Sequence, residues 1–263
     1  MLYSKEDVRI NKCNRCGLAY QTPMVARFEA SGKDYYASIE INKLVIDNMK
    51  GDARERLRSL LKFRSQGSLL DIGCGLGYFI KEASKYFDCE GLELSKIASD
   101  YARQLCGAKI YNDNIESFLI RGSYDVISMF HILEHLKDPN YAIQKVVQSL
   151  RPASIIVIEV PNFSSIFSLI QRRNWWYIQP YNHLYYFNES CLKVLLKKHN
   201  LKIIATEYTG GMGFANTYLE RNPGKEIPAA ANNFFIRGLK SLIKSGISFL
   251  NMSNVIRVCA YRM

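Results

Sequence analysis

Short apolar runs and longer stretches with helical spacing alternate through the middle of the chain. The apolar runs predict five strands, and the stretches with a period near 3.6 residues predict helices. The strands fall at residues 68–71, 88–93, 108–111, 124–130 and 154–160, with helices at 77–86, 96–106 and 139–150. A chain of this pattern folds into a doubly wound parallel sheet with helices on both faces. The Ile- and Val-rich runs fit strands that are buried on both sides.

Further elements flank this alternating region. Residues 36–65 have a helical pattern, residues 191–208 predict a helix followed by a strand, and 255–261 predict a last strand. Between them, residues 229–250 alternate apolar and basic positions, which predicts an amphipathic helical insertion. Two interpretations of that insertion stay open: a helix that packs on the sheet edge, or an interfacial helix that brings the protein to a membrane surface.

Composition narrows the class of protein. The 263 residues suffice for one α/β domain with a full core, and no apolar run approaches the 18 residues of a membrane span. The first residues lack the pattern of a signal peptide, and seven scattered cysteines do not suggest a disulfide framework. We therefore expect a cytoplasmic protein, with residues 229–250 as the one candidate for peripheral membrane contact.

The net charge of +11 favours anionic partners in general. The basic residues are spread along the chain and are not interleaved with aromatic residues in one block. This distribution argues against a nucleic-acid-binding protein. Nothing in the sequence indicates an oligomeric state.

A glycine-rich turn follows the first strand of the alternating region. Asp71 ends the strand, and Gly73, Gly75 and Gly77 follow at every second position. Dinucleotide-binding folds have a wider glycine spacing and place a small residue where this chain has Tyr78. A carboxylate at the mouth of the turn would repel a pyrophosphate, but it would attract an ammonium or sulfonium group.

A second acid, Glu93, ends the next strand about twenty residues on. A carboxylate in that position can accept hydrogen bonds from both hydroxyls of a ribose. The glycine turn and the two acids together predict a site for a cationic nucleoside. S-adenosyl-L-methionine has the required ribose, ammonium and sulfonium groups.

The sequence resembles the class I S-adenosylmethionine-dependent methyltransferases, in the branch known as methyltransferase domain 23. The resemblance covers roughly residues 10–210 and rests on the glycine turn together with four motifs in the family's order: Tyr124-Asp-Val-Ile, Phe130-His-Ile-Leu-Glu-His-Leu-Lys-Asp-Pro, Glu159-Val-Pro-Asn and Pro180-Tyr-Asn-His-Leu-Tyr-Tyr-Phe. It implies a Rossmann-like sheet of seven strands in the order 3-2-1-4-5-7-6, with the seventh strand antiparallel.

The resemblance also implies a function. We expect S-adenosylmethionine-dependent methyl transfer to a small-molecule acceptor, a sugar or a saccharide or lipid-linked intermediate. Two alternatives stay open: an RNA methyltransferase, and a cofactor-binding protein without transferase activity. The implied cofactor-binding residues are Asp71, Gly73, Cys74, Gly75, Gly77, Glu93, Leu94, Asn114, Ile115 and Phe130.

Two of these assignments carry alternatives. Asn114 and Ile115 occupy the place where the family has an Asp and a small or apolar residue at the adenine edge, and Asp113 could take this place with a shift of one residue. Tyr35 and Tyr36 resemble an aromatic pair that borders the cofactor's carboxylate, but tyrosines here could equally pack at a domain seam.

Residues 161–190 are unusually aromatic and predict either a lid over the acceptor or a plug of the core. His183 is the only imidazole in this segment. Its surroundings resemble a motif of sugar C-methyltransferases in which this His is the general base, although this chain has Asn182 where those enzymes have Glu. We therefore expect His183 to be the catalytic residue.

Two motifs raise the question of a metal. Residues 1–35 form an extension before the methyltransferase domain at 36–263, and Cys13 and Cys16 in it supply only half of a zinc site. The sequence His131-x-x-Glu134-His135 resembles the Glu-x-x-Glu-His metal site of quinone-biosynthesis O-methyltransferases, with His in place of the first Glu. The other interpretation of these residues is that they stabilise the turn. We expect no metal at either place.

Overall fold

The computed structural model describes residues 1–24, 36, 42–209 and 253–263. Its main feature is a seven-stranded sheet of β4 (Gly67–Ile72), β5 (Phe87–Glu93), β6 (Lys109–Asn112), β7 (Tyr124–Phe130), β8 (Leu150–Pro161), β10 (Leu201–Thr209) and β11 (Val255–Arg262). The strands lie in the order β6-β5-β4-β7-β8-β11-β10. Only β11 is antiparallel to its neighbours within this sheet. The predicted order and the antiparallel seventh strand are confirmed.

Six α-helices lie in the described part of the chain. They are α1 (Lys43–Leu60), α2 (Tyr78–Ala83), α3 (Lys96–Cys106), α4 (Pro139–Gln148), α5 (Ile166–Gln171) and α6 (Glu189–Lys198), with a 3-10 turn at Arg172–Asn174. Most begin where a short polar side chain accepts a backbone N–H of the first turn, as Asn42, Ser95 and Asp138 do. The helix predicted at 77–86 ends early, at Ala83, because β5 begins at Phe87.

The main core lies on both faces of the large sheet. Leu69 and Leu70 are neighbours in β4, yet they belong to different apolar clusters, and the same is true of Val126 and Ile127 in β7. Side chains of a strand point alternately to the two faces, so both faces are covered. This arrangement is the doubly wound architecture that the uniformly apolar strands predict.

A second, four-stranded sheet involves the N-terminal extension. It contains β1 (Tyr3–Lys5), β2 (Val8–Lys12), β3 (Ala19–Thr22) and β9 (Tyr185–Tyr186). Its strands are antiparallel, and β9 comes from the aromatic segment 161–190. A separate apolar cluster beneath it contains Val8, Ile10, Ala19, Trp175, Ile178, Tyr181 and Tyr186. Several aromatic side chains of the segment therefore form a core with the extension.

Two of the predictions from the sequence fall on residues that the structure does not describe. The amphipathic insertion at 229–250 and Tyr35 lie outside the described residues. Within the described residues, no helix combines the length and the apolar character that crossing a membrane requires.

Candidate active site

The glycine turn joins β4 to α2 at the carboxyl end of the sheet. Gly73, Gly75 and Gly77 have φ angles of 72°, 54° and 80°, a region in which side chains with a Cβ are strained. A Cβ on Gly77 would lie 2.8 Å from the Cβ of Ala102, so this glycine lets α2 pack on α3. A Cβ on Gly75 would lie 2.6 Å from the hydroxyl oxygen of Tyr36, which places this tyrosine over the turn.

The turn uses its own amides internally. Gly73 and Cys74 donate their N–H groups to the carbonyl of Leu92 at 2.7 and 3.1 Å. Gly75 donates its N–H to Glu93 Oε2 at 2.8 Å. A phosphate-binding turn presents such N–H groups to its ligand. This turn does not, in agreement with the glycine spacing that argued against a dinucleotide.

Glu93 is fixed by the backbone on two sides. Besides the bond from Gly75, Oε1 accepts the N–H of Ser95 at 2.8 Å, and the residue is 8% exposed. The side-chain amide of Asn112 donates to the carbonyls of Glu93 and Leu94 at 3.0 and 2.8 Å and holds the end of β5 in place. The carboxylate therefore has one orientation, directed at the glycine turn.

Asp71 lies at the bottom of the same turn and is only 2% exposed. Its Oδ1 accepts the hydroxyl of Ser128, which lies opposite it on β7, at 2.7 Å. Burial raises the pKa of Asp71 to about 7, against the lowering effects of the Ser128 bond and of Arg56, while the charge of Glu93 adds to the rise. A cationic group bound here would favour the ionised carboxylate.

The remaining residues predicted at the cofactor site occupy the same edge of the sheet or its core. The side chain of Leu94 is 61% exposed next to Glu93, whereas Ile115 is 5% exposed and packs in the core. Asn114 Oδ1 accepts the N–H of Glu116 at 2.9 Å and so holds a local turn. Asp113 Oδ1 accepts the N–H of Asn114 at 2.7 Å. The adenine-edge assignment stays a prediction.

Phe130 and Cys74 are both buried beside the turn. The ring of Phe130, at the end of β7, packs edge-on against Phe79 with 4.8 Å between ring centroids. The guanidinium of Arg56 lies 4.5 Å from the centroid of the Phe130 ring. Through this contact α1 is brought to the carboxyl ends of the strands.

A row of charged side chains, which the sequence analysis missed, crosses the sheet beside Phe130. Glu207, Arg257 and Glu159 are directly opposite one another on β10, β11 and β8. Arg56 of α1 donates to Glu159 Oε1 at 2.6 Å from above the sheet. The signal in the sequence was a lone acid, Glu159, in one apolar strand and a base, Arg257, inside the apolar run of another.

Two carboxylates control the charge of His131: Glu159, which belongs to the row, and Glu134. His131 Nδ1 lies 3.1 Å from Glu134 Oε1, and Nε2 lies 3.3 Å from Glu159 Oε1. Burial alone would lower the pKa of His131, but the two carboxylates raise it to about 9. For the acid Glu159, burial alone would raise the pKa, but Arg56, Arg257 and His131 hold this pKa well below its ordinary value. His131 is therefore a cation that both carboxylates bind.

His183 comes from the aromatic segment, and its ring packs edge-on against His135. Its Nδ1 donates to the carbonyl of Tyr177 at 2.8 Å, and the centroids of the two imidazoles are 4.8 Å apart. His183 is 5% exposed. Burial and then the neighbouring His135 lower the pKa of His183 to about 3. Since an effective general base has a pKa near the working pH, its catalytic role stays a prediction that this pKa does not favour.

Known proteins resemble this chain in sequence and in fold. The sequence profile of a family described as methyltransferase domain matches residues 46–206, which is more than half of the chain. The chain belongs to this family. It is a class I S-adenosylmethionine-dependent methyltransferase, as predicted. A search of curated proteins finds no match.

Solved structures show the same fold. An S-adenosylmethionine-dependent methyltransferase from Mesorhizobium loti has 17% identity and a TM-score of 0.57, over 81% of this chain and 100% of that one. Coclaurine N-methyltransferase bound to N-methylheliamine and SAH has 14% identity and a TM-score of 0.56, over 91% and 79%. Magnesium protoporphyrin IX methyltransferase from Synechocystis, with SAH bound, has 12% identity and a TM-score of 0.57, over 87% and 91%.

Proposed function

We propose that this methyltransferase binds S-adenosyl-L-methionine along the carboxyl ends of β4 and β5 and methylates a small-molecule acceptor. The observation that carries the proposal is the pair of buried carboxylates at the glycine turn: Asp71 lies near the end of β4, and Glu93 accepts the N–H of Gly75. The turn between them uses its amides internally and so offers acids, not N–H donors, to a ligand. A cationic nucleoside matches this set of groups.

Each residue then has a role that its chemistry supports. Asp71 accepts from the ammonium group, and Glu93 accepts from the ribose hydroxyls, since each carboxylate oxygen can take more than one hydrogen bond. Gly73, Cys74, Gly75 and Gly77 give the backbone close approach to the ligand. The exposed side chain of Leu94 supplies an apolar surface for the adenine. The family resemblance assigns Asn114, Ile115 and Phe130 to the same pocket. S-adenosyl-L-methionine, when bound, supplies the methyl group.

The acceptor is proposed to lie beside Tyr177. The Tyr177 ring is parallel to the His131 ring within 5°, with centroids 6.3 Å apart, and it is nearly parallel to His183 at 6.1 Å. Flat aromatic faces next to charged groups suit a sugar, which has apolar ring faces and many hydroxyls. We therefore propose a sugar or a saccharide intermediate as the acceptor. A lipid-linked form, with membrane contact through 229–250, rests on the sequence alone.

Catalysis needs alignment of the acceptor with the methyl group and removal of the acceptor's proton. The rigid end of β7 supports alignment, because His131 is held by Glu134 and Glu159. His131 is protonated near neutral pH and so cannot act as the base. His183 remains the candidate on the acceptor side.

Two experiments test the proposal. Calorimetry with S-adenosyl-L-methionine and its demethylated product should show one site per chain, and weaker binding in both Asp71→Ala and Glu93→Ala would support the assigned residues. Unchanged affinity in these variants would refute the assignment. Labelled methyl transfer into fractionated cell extract then identifies the acceptor. Label in RNA would favour the RNA alternative, and tight binding without transfer to any fraction would favour a protein without transferase activity.

A further inference from the structure

Three possible metal-ligand atoms lie close together where the loop after β7 meets the aromatic segment. Glu134, His135 and His183 each present one possible ligand atom, and these atoms lie within 4.8 Å of one another. Glu134 is 1% exposed and His183 is 5% exposed, whereas His135 is partly exposed. In the part of the chain that the structure describes, this is the only group of three or more such residues.

Backbone carbonyls fix the tautomers of both imidazoles. His135 Nδ1 lies 2.8 Å from the carbonyl oxygen of Asn182, and His183 Nδ1 lies 2.8 Å from that of Tyr177. Because a carbonyl only accepts, each Nδ1 carries the proton. Each Nε2 therefore has a lone pair available. This is the arrangement in which metal-binding histidines are usually held.

Glu134 completes the group with an oxygen that lacks a donor. Its Oε1 is bound by His131, but its fully buried Oε2 has no hydrogen-bond partner among the described residues. Burying a carboxylate oxygen that accepts no hydrogen bond costs free energy of folding. The two neighbouring imidazole lone pairs cannot donate one. A bound cation would satisfy all three atoms at once.

The surroundings hold these three residues in place. His131 binds Glu134 through Nδ1 and Glu159 through Nε2, so both of its nitrogens are occupied and it is a support, not a ligand. The backbone carbonyl of Glu134 accepts the N–H groups of Leu184 and Tyr185 at 2.8 and 3.2 Å. These bonds tie the loop after β7 to the segment that carries His183.

We propose that Glu134 Oε2, His135 Nε2 and His183 Nε2 bind one divalent transition-metal cation. Two imidazoles and one carboxylate suit Zn²⁺, Co²⁺, Fe²⁺ or Mn²⁺ better than Ca²⁺ or Mg²⁺, which prefer oxygen ligands throughout. Three protein ligands leave coordination positions open, and the partly exposed His135 borders them. This ligand set contains His183 in place of His131 and revises the expectation that the chain binds no metal.

The test is Co²⁺ and Zn²⁺ binding to the full chain, purified without a histidine tag and dialysed against a chelator. We expect one cation per chain by calorimetry. The Co²⁺ complex should show d–d absorption without a thiolate charge-transfer band. His135→Gln, His183→Gln and Glu134→Gln should each weaken binding at least 100-fold. His199→Gln is the matched control, because His199 is bonded to Asn140 and is not one of the three ligands, and it should leave binding unchanged.

Several results would contradict the metal-site proposal. A dialysed wild-type chain that takes up no Co²⁺ or Zn²⁺ would overturn the proposal and would leave water as the partner of Glu134 Oε2. Binding that survives in all three ligand variants, or that disappears in Cys13→Ser/Cys16→Ser, would place the metal elsewhere. His135 is partly exposed, so His135→Gln should disturb the fold least of the three variants. Circular dichroism would reveal a folding defect. Calorimetry with S-adenosyl-L-methionine on the same samples separates failure of this site from failure of the proposed function.

Discussion

Glu159 and Arg257 are directly opposite each other on the antiparallel strands β8 and β11, and Arg257 Nη2 lies 2.5 Å from Glu159 Oε2. Both side chains are 4% exposed. Arg56 and His131 bind the other oxygen of the same carboxylate. One buried acid therefore joins the antiparallel strand, the first helix and the loop after β7 at the edge of the active site.

Breaking this pair should destabilise the fold strongly. Arg257→Met leaves Glu159 with fewer partners in a buried site, and losing one member of a buried pair costs about 3–5 kcal/mol. The exposed pair Lys193–Glu189 is the control, because Lys193→Met should cost at most about 1 kcal/mol. Urea unfolding measures both. Equal costs for the two variants would show that the buried pair contributes no more than the exposed one.

Glu93→Ala should weaken binding of S-adenosyl-L-methionine by roughly 1.5–3 kcal/mol, the range for losing hydrogen bonds to a charged group. Glu93→Gln, which keeps one acceptor oxygen for the turn, should lie between wild type and alanine. Asp100→Ala removes an exposed acid on the nearby α3 and is the control. Calorimetry that gives the same affinity for Glu93→Ala and Asp100→Ala would remove Glu93 from the cofactor site.

Asp71 should make both stability and cofactor binding depend on pH. Its pKa is about 7 in the folded chain and near 3.8 when unfolded, because burial opposes its ionisation. The folded state holds the proton more tightly, so this contribution to stability is complete below about pH 4 and is lost as the pH rises through about 7, by up to roughly 4 kcal/mol. In urea unfolding, wild type should lose stability relative to Asp71→Asn across this window.

Cofactor affinity should change in the opposite direction. Binding of a cationic group needs the ionised Asp71, so the affinity of wild type should rise as the pH increases through about 7. Asp71→Asn should bind more weakly and without this rise. Arg56 and Glu93 are the charged groups that act on Asp71, and both remain in the variant. Parallel pH profiles for wild type and variant would contradict the assignment.

Cys13 should be the cysteine that alkylating reagents modify first. Backbone hydrogen bonds from Cys16 and Arg15 lower the pKa of Cys13, whereas burial raises the pKa of Cys89 and Cys259 to about 12. Mass spectrometry after brief iodoacetamide treatment measures the order. The Cys13→Ser/Cys16→Ser variant should also keep the metal content of wild type, since two thiolates do not complete a zinc site.

His183→Asn should lower turnover by roughly 10²–10⁴-fold if His183 takes the acceptor proton, with little change in cofactor affinity. A role as metal ligand predicts the same fall in turnover together with loss of Co²⁺ binding. Kinetics with the identified acceptor and Co²⁺ calorimetry on one preparation separate the two roles. Near-normal turnover with Co²⁺ still bound would make His183 a structural residue.

The sequence by itself determined the fold and the place of Asp71, the glycine turn and Glu93 within it. Strand order and the antiparallel last strand came with the family resemblance, and the elements came from local periodicity, which depends only on neighbouring residues. Asp71, the glycine turn and Glu93 could be predicted because they end successive strands of a parallel sheet. Such a site is set by topology more than by side-chain packing.

The tertiary structure alone decided which charges meet. Glu159 and Arg257 are 98 positions apart, and only the register of β8 and β11 places them together. From the sequence alone, His131 could be a metal ligand or a residue that stabilises the turn. In the fold, two acids from different elements make it a buried cation. His183 lies against Glu134 and His135 because the aromatic segment folds back onto the loop after β7. Protonation and ligand geometry depend on burial and on partners remote in sequence, which local patterns do not contain.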